Sequence, residues 1–201
     1  MEVFERTVID TALDKAMSYS EYKALVSRSI EKGLSTGPEQ SEALLNYSKL
    51  NDRRMKRLDK TIKLSEKARQ RALSFRGDVI WLVLTESWCG DAAQTMPVID
   101  KIAALNEGID FKVVLRDDNL ELMDQFLTNG NRAIPKLIAI DKKDGEVIGE
   151  WGPRPTTATL MVKNYKEQYG KLTPEFKQEL QVWYNKDRGQ DTERDIIELL
   201  G

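Results

Sequence analysis

The chain has 201 residues, of which 31 are Lys or Arg and 33 are Asp or Glu, and it contains no histidine and one cysteine. A catalytic histidine, a His-ligated metal and an intramolecular disulfide are therefore excluded, which leaves Cys89 as either a single reactive thiol or an inert buried one. An apolar fraction of 40%, a charged fraction of 32% and a net charge of −2 describe a folded protein with well-solvated helices, long enough to bury a core.

The start Met1-Glu2-Val3-Phe4-Glu5-Arg6 carries acidic charge where a secretory signal needs a basic end and an apolar run, and no stretch has the length of apolar residues needed to span a bilayer. A cytoplasmic, reducing setting without membrane contact is expected. Up to about Phe75 the pattern is helical. Tyr22, Leu25, Val26 and Ile30 recur at helical offsets, Ser18 and Glu21 are spaced for a capping box, and Gly33 with Gly37-Pro38 ends the segment. A second run from near Glu39 keeps an approximately helical spacing through Leu44, Tyr47, Leu50, Met55, Leu58 and Ile62, and the pattern leaves open whether it continues or breaks at Asn51-Asp52. Two or three helices are predicted here.

Residues 51–76 hold ten basic and three acidic side chains, a local charge of +7 that leaves −9 for the rest of the chain. A basic helix can meet nucleic acid or an acidic partner. No aromatic residues interleave with the charges to stack on bases, so a solvated helix face is the preferred reading and nucleic acid is not expected as a partner.

After Gly77-Asp78, Val79-Ile80-Trp81-Leu82-Val83-Leu84 reads as a strand buried on both faces. A helix from about Asp91 to Leu105 and a strand Phe111 to Leu115 complete a β-α-β unit. Leu120 to Leu127 is a further helix. The apolar run from Ile134 to Ile140 turns at Lys142-Lys143-Asp144-Gly145 into Glu146 to Trp151, a hairpin. Helices follow over 155–169, after Thr173 as N-cap with Pro174 at the first position, and over 192–200. Trp81, Trp151 and Trp183 are read as packing residues, and Asp118 as the cap of the helix it precedes.

The first strand-helix junction reads Trp88-Cys89-Gly90-Asp91-Ala92, with Pro97 eight residues after the cysteine and an Ile134-Pro135 pair at the head of a later strand. These elements, in this order, resemble the thioredoxin-like family, which carries Trp-Cys-Gly-Pro-Cys, a helix proline at the same spacing and a cis Ile-Pro facing the thiol. The resemblance implies an α/β fold of three layers with a central mixed sheet. It covers about 77–170, with an N-terminal helical extension over 1–76 and C-terminal helices over 171–201, all packed as one compact unit. Added amino-terminal helices suggest a bacterial-type branch. Ala92 stands where the family has its second cysteine, and Val83 where it has a buried acid.

At the head of a helix, unpaired N–H groups and the macrodipole favour a thiolate, while Glu86 and Asp91 are expected to oppose it by repulsion. Resolution decides more than reactivity, because Ala92 cannot break a mixed disulfide and a second thiol must come from elsewhere. The resemblance thus implies a single-cysteine thiol-disulfide oxidoreductase. Cys89 attacks a protein or peptide disulfide, Trp88, Gly90, Asp91, Ile134 and Pro135 bind the substrate, and glutathione or another small thiol acts as co-substrate. No metal or resident cofactor is expected. Arg116 is a candidate ion-pair partner for Glu86 or Asp91. The competing reading is a non-catalytic thioredoxin-like module that binds an extended peptide beside Pro135. A monothiol glutaredoxin is disfavoured because Ala92 replaces its serine, and a one-cysteine peroxiredoxin because position 86 is Glu.

Overall fold

The computed structural model describes residues 3–201, so Met1 and Glu2 of the acidic start lie outside the described residues. Helices α1 (Val3–Leu13), α2 (Tyr19–Glu31), α3 (Glu42–Thr61) and α4 (Glu66–Ser74) precede the long strands, with a two-residue strand β1 (Met17–Ser18) between α1 and α2. The region expected to hold two or three helices holds four. Ser18 forms the expected capping box, its side chain accepting from the Glu21 N–H while the Glu21 carboxylate accepts from the Ser18 N–H at 2.7 Å.

The run continues unbroken through Asn51-Asp52 as α3. The Asn51 amide is turned inward onto the Ser87 carbonyl at 2.9 Å, and Asp52 pairs one turn on with Lys56 at 2.7 Å. Neither side chain then competes with its own backbone, which is the usual reason such residues weaken a helix. The chain breaks instead after Ile62, and Ser65 caps α4 by accepting from the Ala68 N–H at 3.2 Å.

Beyond these lie β2 (Val79–Thr85), α5 (Gly90–Ala103), β3 (Ile109–Leu115), α6 (Leu120–Gln125), β4 (Lys136–Asp141), β5 (Val147–Trp151), α7 (Thr156–Tyr169), α8 (Pro174–Asp187) and α9 (Gln190–Glu198). The strand order is β1-β3-β2-β4-β5. Strands β2 and β3 run parallel through the α5 crossover, with Trp81 opposite Phe111, and the other pairings are antiparallel. The chain is an α/β fold with a central mixed sheet flanked by N- and C-terminal helices.

The apolar run of β2 takes the middle of the sheet because both its faces can be covered there. Trp81, Leu82, Val83 and Leu84 are fully buried, and each such side chain gains about 1.5–3 kcal/mol by leaving water. The main core also draws Val8 and Ile9 from α1, Tyr22 and Val26 from α2, Met55 and Leu58 from α3 and Ile196 from α9. Helices α7 and α8 build a separate apolar cluster from Ala158, Val162, Phe176, Leu180 and Tyr184. Trp81 and Trp151 belong to the main core and Trp183 packs on the second cluster, so the packing reading of all three holds. Asp118 does not cap α6. Asn119 stands at the cap position without a side-chain cap bond and donates to the Leu115 carbonyl at 2.7 Å, which ties the helix start to the end of β3 instead. Among the described residues no helix is long and apolar enough to cross a membrane.

Candidate functional site

Parallel β2 and β3 end side by side, joined by the Arg116 N–H donating to the Thr85 carbonyl at 2.9 Å, and the chain leaves β2 through Glu86-Ser87-Trp88 to enter α5. Cys89 is the N-cap of that helix. Its sulfur accepts from the Ala92 N–H at 3.4 Å and its thiol donates to the Ile134 carbonyl at 3.3 Å, across 45 residues of sequence. The Ile134-Pro135 peptide is cis, as the resemblance implied, and a second cis peptide joins Gly152 to Pro153. Pro97 lies inside α5 and, lacking an N–H, gives no hydrogen bond to the Ala93 carbonyl one turn back.

Cys89 is only 7% exposed, and Ile134 and Pro135 are buried beside it. Burial, with the nearby Asp91 carboxylate as the second cause, pushes the thiol up to about 12, against the pull of the α5 backbone N–H groups and of Arg154. The expected repulsion by Asp91 is therefore present. Glu86 is not among the groups that raise the thiol, and its carboxylate instead accepts from the Thr36 hydroxyl and, at 3.0 Å, from the Asp117 N–H.

Asp91 gathers groups that no local sequence pattern reveals. It pairs with Arg154 at 2.7 Å and accepts from the Tyr184 hydroxyl at 3.0 Å. Burial raises its pKa, and Arg154, Tyr184 and Arg54 act in the opposite direction. Arg116, a candidate partner for Glu86 or Asp91, pairs with neither. Its guanidinium bonds the adjacent Asp117 at 2.7 Å and lies 4.9 Å above the Trp88 ring, because both candidate acids already have donors of their own.

The N-terminal extension closes one side of this junction. Thr36 donates its N–H to the Ser87 hydroxyl at 2.9 Å and accepts from the Ser87 N–H at 2.8 Å, Ser48 bonds the same hydroxyl at 2.7 Å, and Asn51 holds the Ser87 carbonyl. Gly37 has φ +84°, and a Cβ there would stand 2.7 Å from the Asp117 carboxylate, so the turn approaches closely because it is glycine. Arg54, a member of the basic run, turns inward to Asn51 at 3.0 Å and lies close to Gly90, while neighbours such as Lys56 and Arg57 stay exposed. On the other side Gly152, at φ +121°, brings the loop before α7 against the proline. A Cβ there would sit 2.2 Å from the Pro135 carbonyl oxygen.

The structure thus brings together Cys89, Gly90, Asp91, Ile134 and Pro135, places Trp88 at the rim under Arg116, and turns Glu86 toward the extension. Thr36, Ser48, Asn51, Arg54, Arg154 and Tyr184 escaped the sequence reading. The signal nearest to any of them was the run of ten basic residues that includes Arg54.

A raised thiol pKa makes a testable statement about stability. The fold favours the protonated thiol, so its contribution is complete below the unfolded-state pKa and is lost as pH climbs toward the folded value of about 12. The stability difference between wild type and Cys89→Ala is expected to shrink by about 2 kcal/mol between pH 8 and pH 10.5. Denaturant unfolding of both proteins at each pH measures it, and a difference that stays constant contradicts the raised pKa.

A family model described as thioredoxin matches residues 37–166, which takes in α3 and α4 as well as strands β2 to β5. A protein of unknown function from Pseudomonas aeruginosa, seen in a crystal structure, is 16% identical with a TM-score of 0.59, over 91% of this chain and 96% of that one. The crystal structure of an HIV epitope-scaffold is also 16% identical, with a TM-score of 0.57 over 91% of this chain and 97% of that one. Both likenesses concern the fold and include the helical extensions. No curated protein matches the chain.

Proposed function

The chain belongs to the thioredoxin family, and from that membership we propose that it carries out thiol-disulfide exchange with one thiol, Cys89, and an external thiol for resolution. One observation carries the reading: the sulfur sits at the N-cap of α5 and directly against the carbonyl that precedes cis Pro135. Deprotonated Cys89 attacks one sulfur of a protein or peptide disulfide. A bond forms from Cys89 to that sulfur, the substrate disulfide breaks, and the departing sulfur takes up a proton. Glutathione or another small thiol then attacks the mixed disulfide, freeing Cys89 and leaving the substrate sulfur joined to the small thiol, since Ala92 offers no internal thiol.

In this reading residues 77–170 carry the chemistry and the extensions over 1–76 and 171–201 cover it. Trp88, Gly90, Asp91, Ile134 and Pro135 form the binding surface. Glu86 and Arg116 position the β2–α5 junction and the Trp88 ring, and the reaction belongs to a reducing cytoplasm. The burial of Cys89 and its raised pKa favour a second reading, a binding module in which the thiol only packs.

The two readings separate when reduced protein is incubated with glutathione disulfide and weighed by mass spectrometry. Exchange predicts a glutathione adduct on wild type, its disappearance on adding reduced glutathione, and no adduct on Cys89→Ser. It also predicts glutathione-coupled reduction of a peptide disulfide at least about tenfold faster with wild type than with that variant. Equal rates and no adduct leave the binding module.

A further inference from the structure

We propose that α8 is a lid over the Cys89 thiol, latched to the head of α5 by Tyr184 on Asp91 and Gln181 on Gln94. The contacts that hold α8 across this site are polar. The Tyr184 hydroxyl donates to Asp91 Oδ1 at 3.0 Å, Gln94 Nε2 donates to Gln181 Oε1 at 2.9 Å, and Arg57 of α3 donates to Asn185 Oδ1 at 2.9 Å. Its apolar side belongs to the α7–α8 cluster, which is separate from the core beneath the sheet. Moving α8 therefore breaks a few hydrogen bonds without exposing the main core, the kind of low-cost local opening from which lids are drawn.

The α7–α8 pair has a pivot at each end. The first turn of α7 is pinned to α9, with Thr156 N–H donating to Asp195 at 2.9 Å and Thr157 N–H to Asp191 at 2.7 Å, and α9 in turn places Ile196 and Ile197 in the main core. At its other end α8 runs into Arg188 and Gly189, both with positive φ, which mark the second pivot. Arg154 lies on the pinned side, before α7. It stays on Asp91 when Tyr184 leaves, so opening does not strand a buried carboxylate.

As regulation of the same thiol, the lid takes its purpose from the exchange reading, while its test reads only access to sulfur, so the two fail separately. The experiment is alkylation of the folded protein by iodoacetamide, at a series of low denaturant concentrations, in wild type, Tyr184→Phe and Tyr184→Phe/Gln181→Ala. The lid predicts alkylation about tenfold or more faster in the double variant, an intermediate rate in the single one, and weak denaturant dependence below the unfolding transition. Removing a donor from Asp91 leaves its negative charge less offset and by itself slows thiolate formation, so acceleration reports access. Rates equal to wild type overturn the lid. So do rates that rise only in step with global unfolding, followed in parallel by circular dichroism.

Discussion

Folded protein at pH 7 is expected to react with a small disulfide reagent about 50-fold more slowly than the same cysteine in the unfolded chain. Two opposing effects set this ratio. An ordinary cysteine is about 3% thiolate at pH 7, and a thiol held up to about 12 is ionised to only about one part in 10⁵, a loss of roughly 3000-fold. A more basic thiolate is a better nucleophile, and with a Brønsted coefficient near 0.5 that restores about 50-fold to 60-fold. Steric cover of a sulfur that is 7% exposed slows the reaction further. Thiolate fraction dominates, and it is set first by burial and second by Asp91. Asp91→Asn removes that charge and is expected to accelerate the reaction, provided Arg154 finds water in place of its partner. The measurement is the release of a chromogenic thiol from the reagent, in buffer and in denaturant, with a cysteine peptide as reference for the solvent change. A folded rate equal to or above the unfolded one means that the helix end, with Arg154, outweighs burial.

Glu86→Ala is expected to lower stability by about 3 kcal/mol, a large effect for a residue beside the thiol rather than in the sheet. Glu86 is fully buried, and its two oxygens serve different parts of the molecule, one the Thr36 hydroxyl of the N-terminal extension and the other the Asp117 N–H after β3. Truncation leaves both donors without their acceptor, although Thr36 retains its bonds with Ser87. Glu86→Gln is expected to be milder but not silent, because one of two accepting oxygens becomes an NH₂ that faces a donor.

Burial is the leading cause that raises the Glu86 pKa, opposed by the Thr36 and Asp117 bonds. A raised folded-state value means the stabilising contribution is complete below the unfolded pKa and falls as pH rises through the folded one. The cost of Glu86→Gln therefore shrinks as pH rises from about 4 through the neutral range. Denaturant midpoints across that range test both statements. A loss under about 1 kcal/mol for Glu86→Ala shows that the extension does not depend on this carboxyl.

Elements that bury one continuous face were legible from residues alone. The β2 run, the α5 crossover, the β4–β5 hairpin and the helices capped by Ser18 and Thr173 all appear where the pattern placed them. Strand β1 was not, because two residues carry no periodicity, and it exists through pairing with Val113 and Lys112 on β3. The residues alone left the continuity of α3 open for a related reason. Asn51 and Asp52 read as helix breakers locally, and only their partners Ser87 and Lys56 show why they do not break it.

The candidate site divides in the same way. Short-range order along the chain determined Cys89 at the head of a helix, the absence of a resolving thiol at Ala92, and Pro135 at the start of a strand, since each is a statement about neighbours in sequence. The family resemblance set Ile134-Pro135 facing the thiol, but tertiary structure alone decided that Asp91 is held by Arg154 and Tyr184 from 63 and 93 residues away, and that Glu86 serves the extension. The physical reason is that a pKa and an accessible surface depend on what is near in space. The helix end favoured a reactive thiolate, and burial under distant segments holds the same sulfur as a protonated thiol.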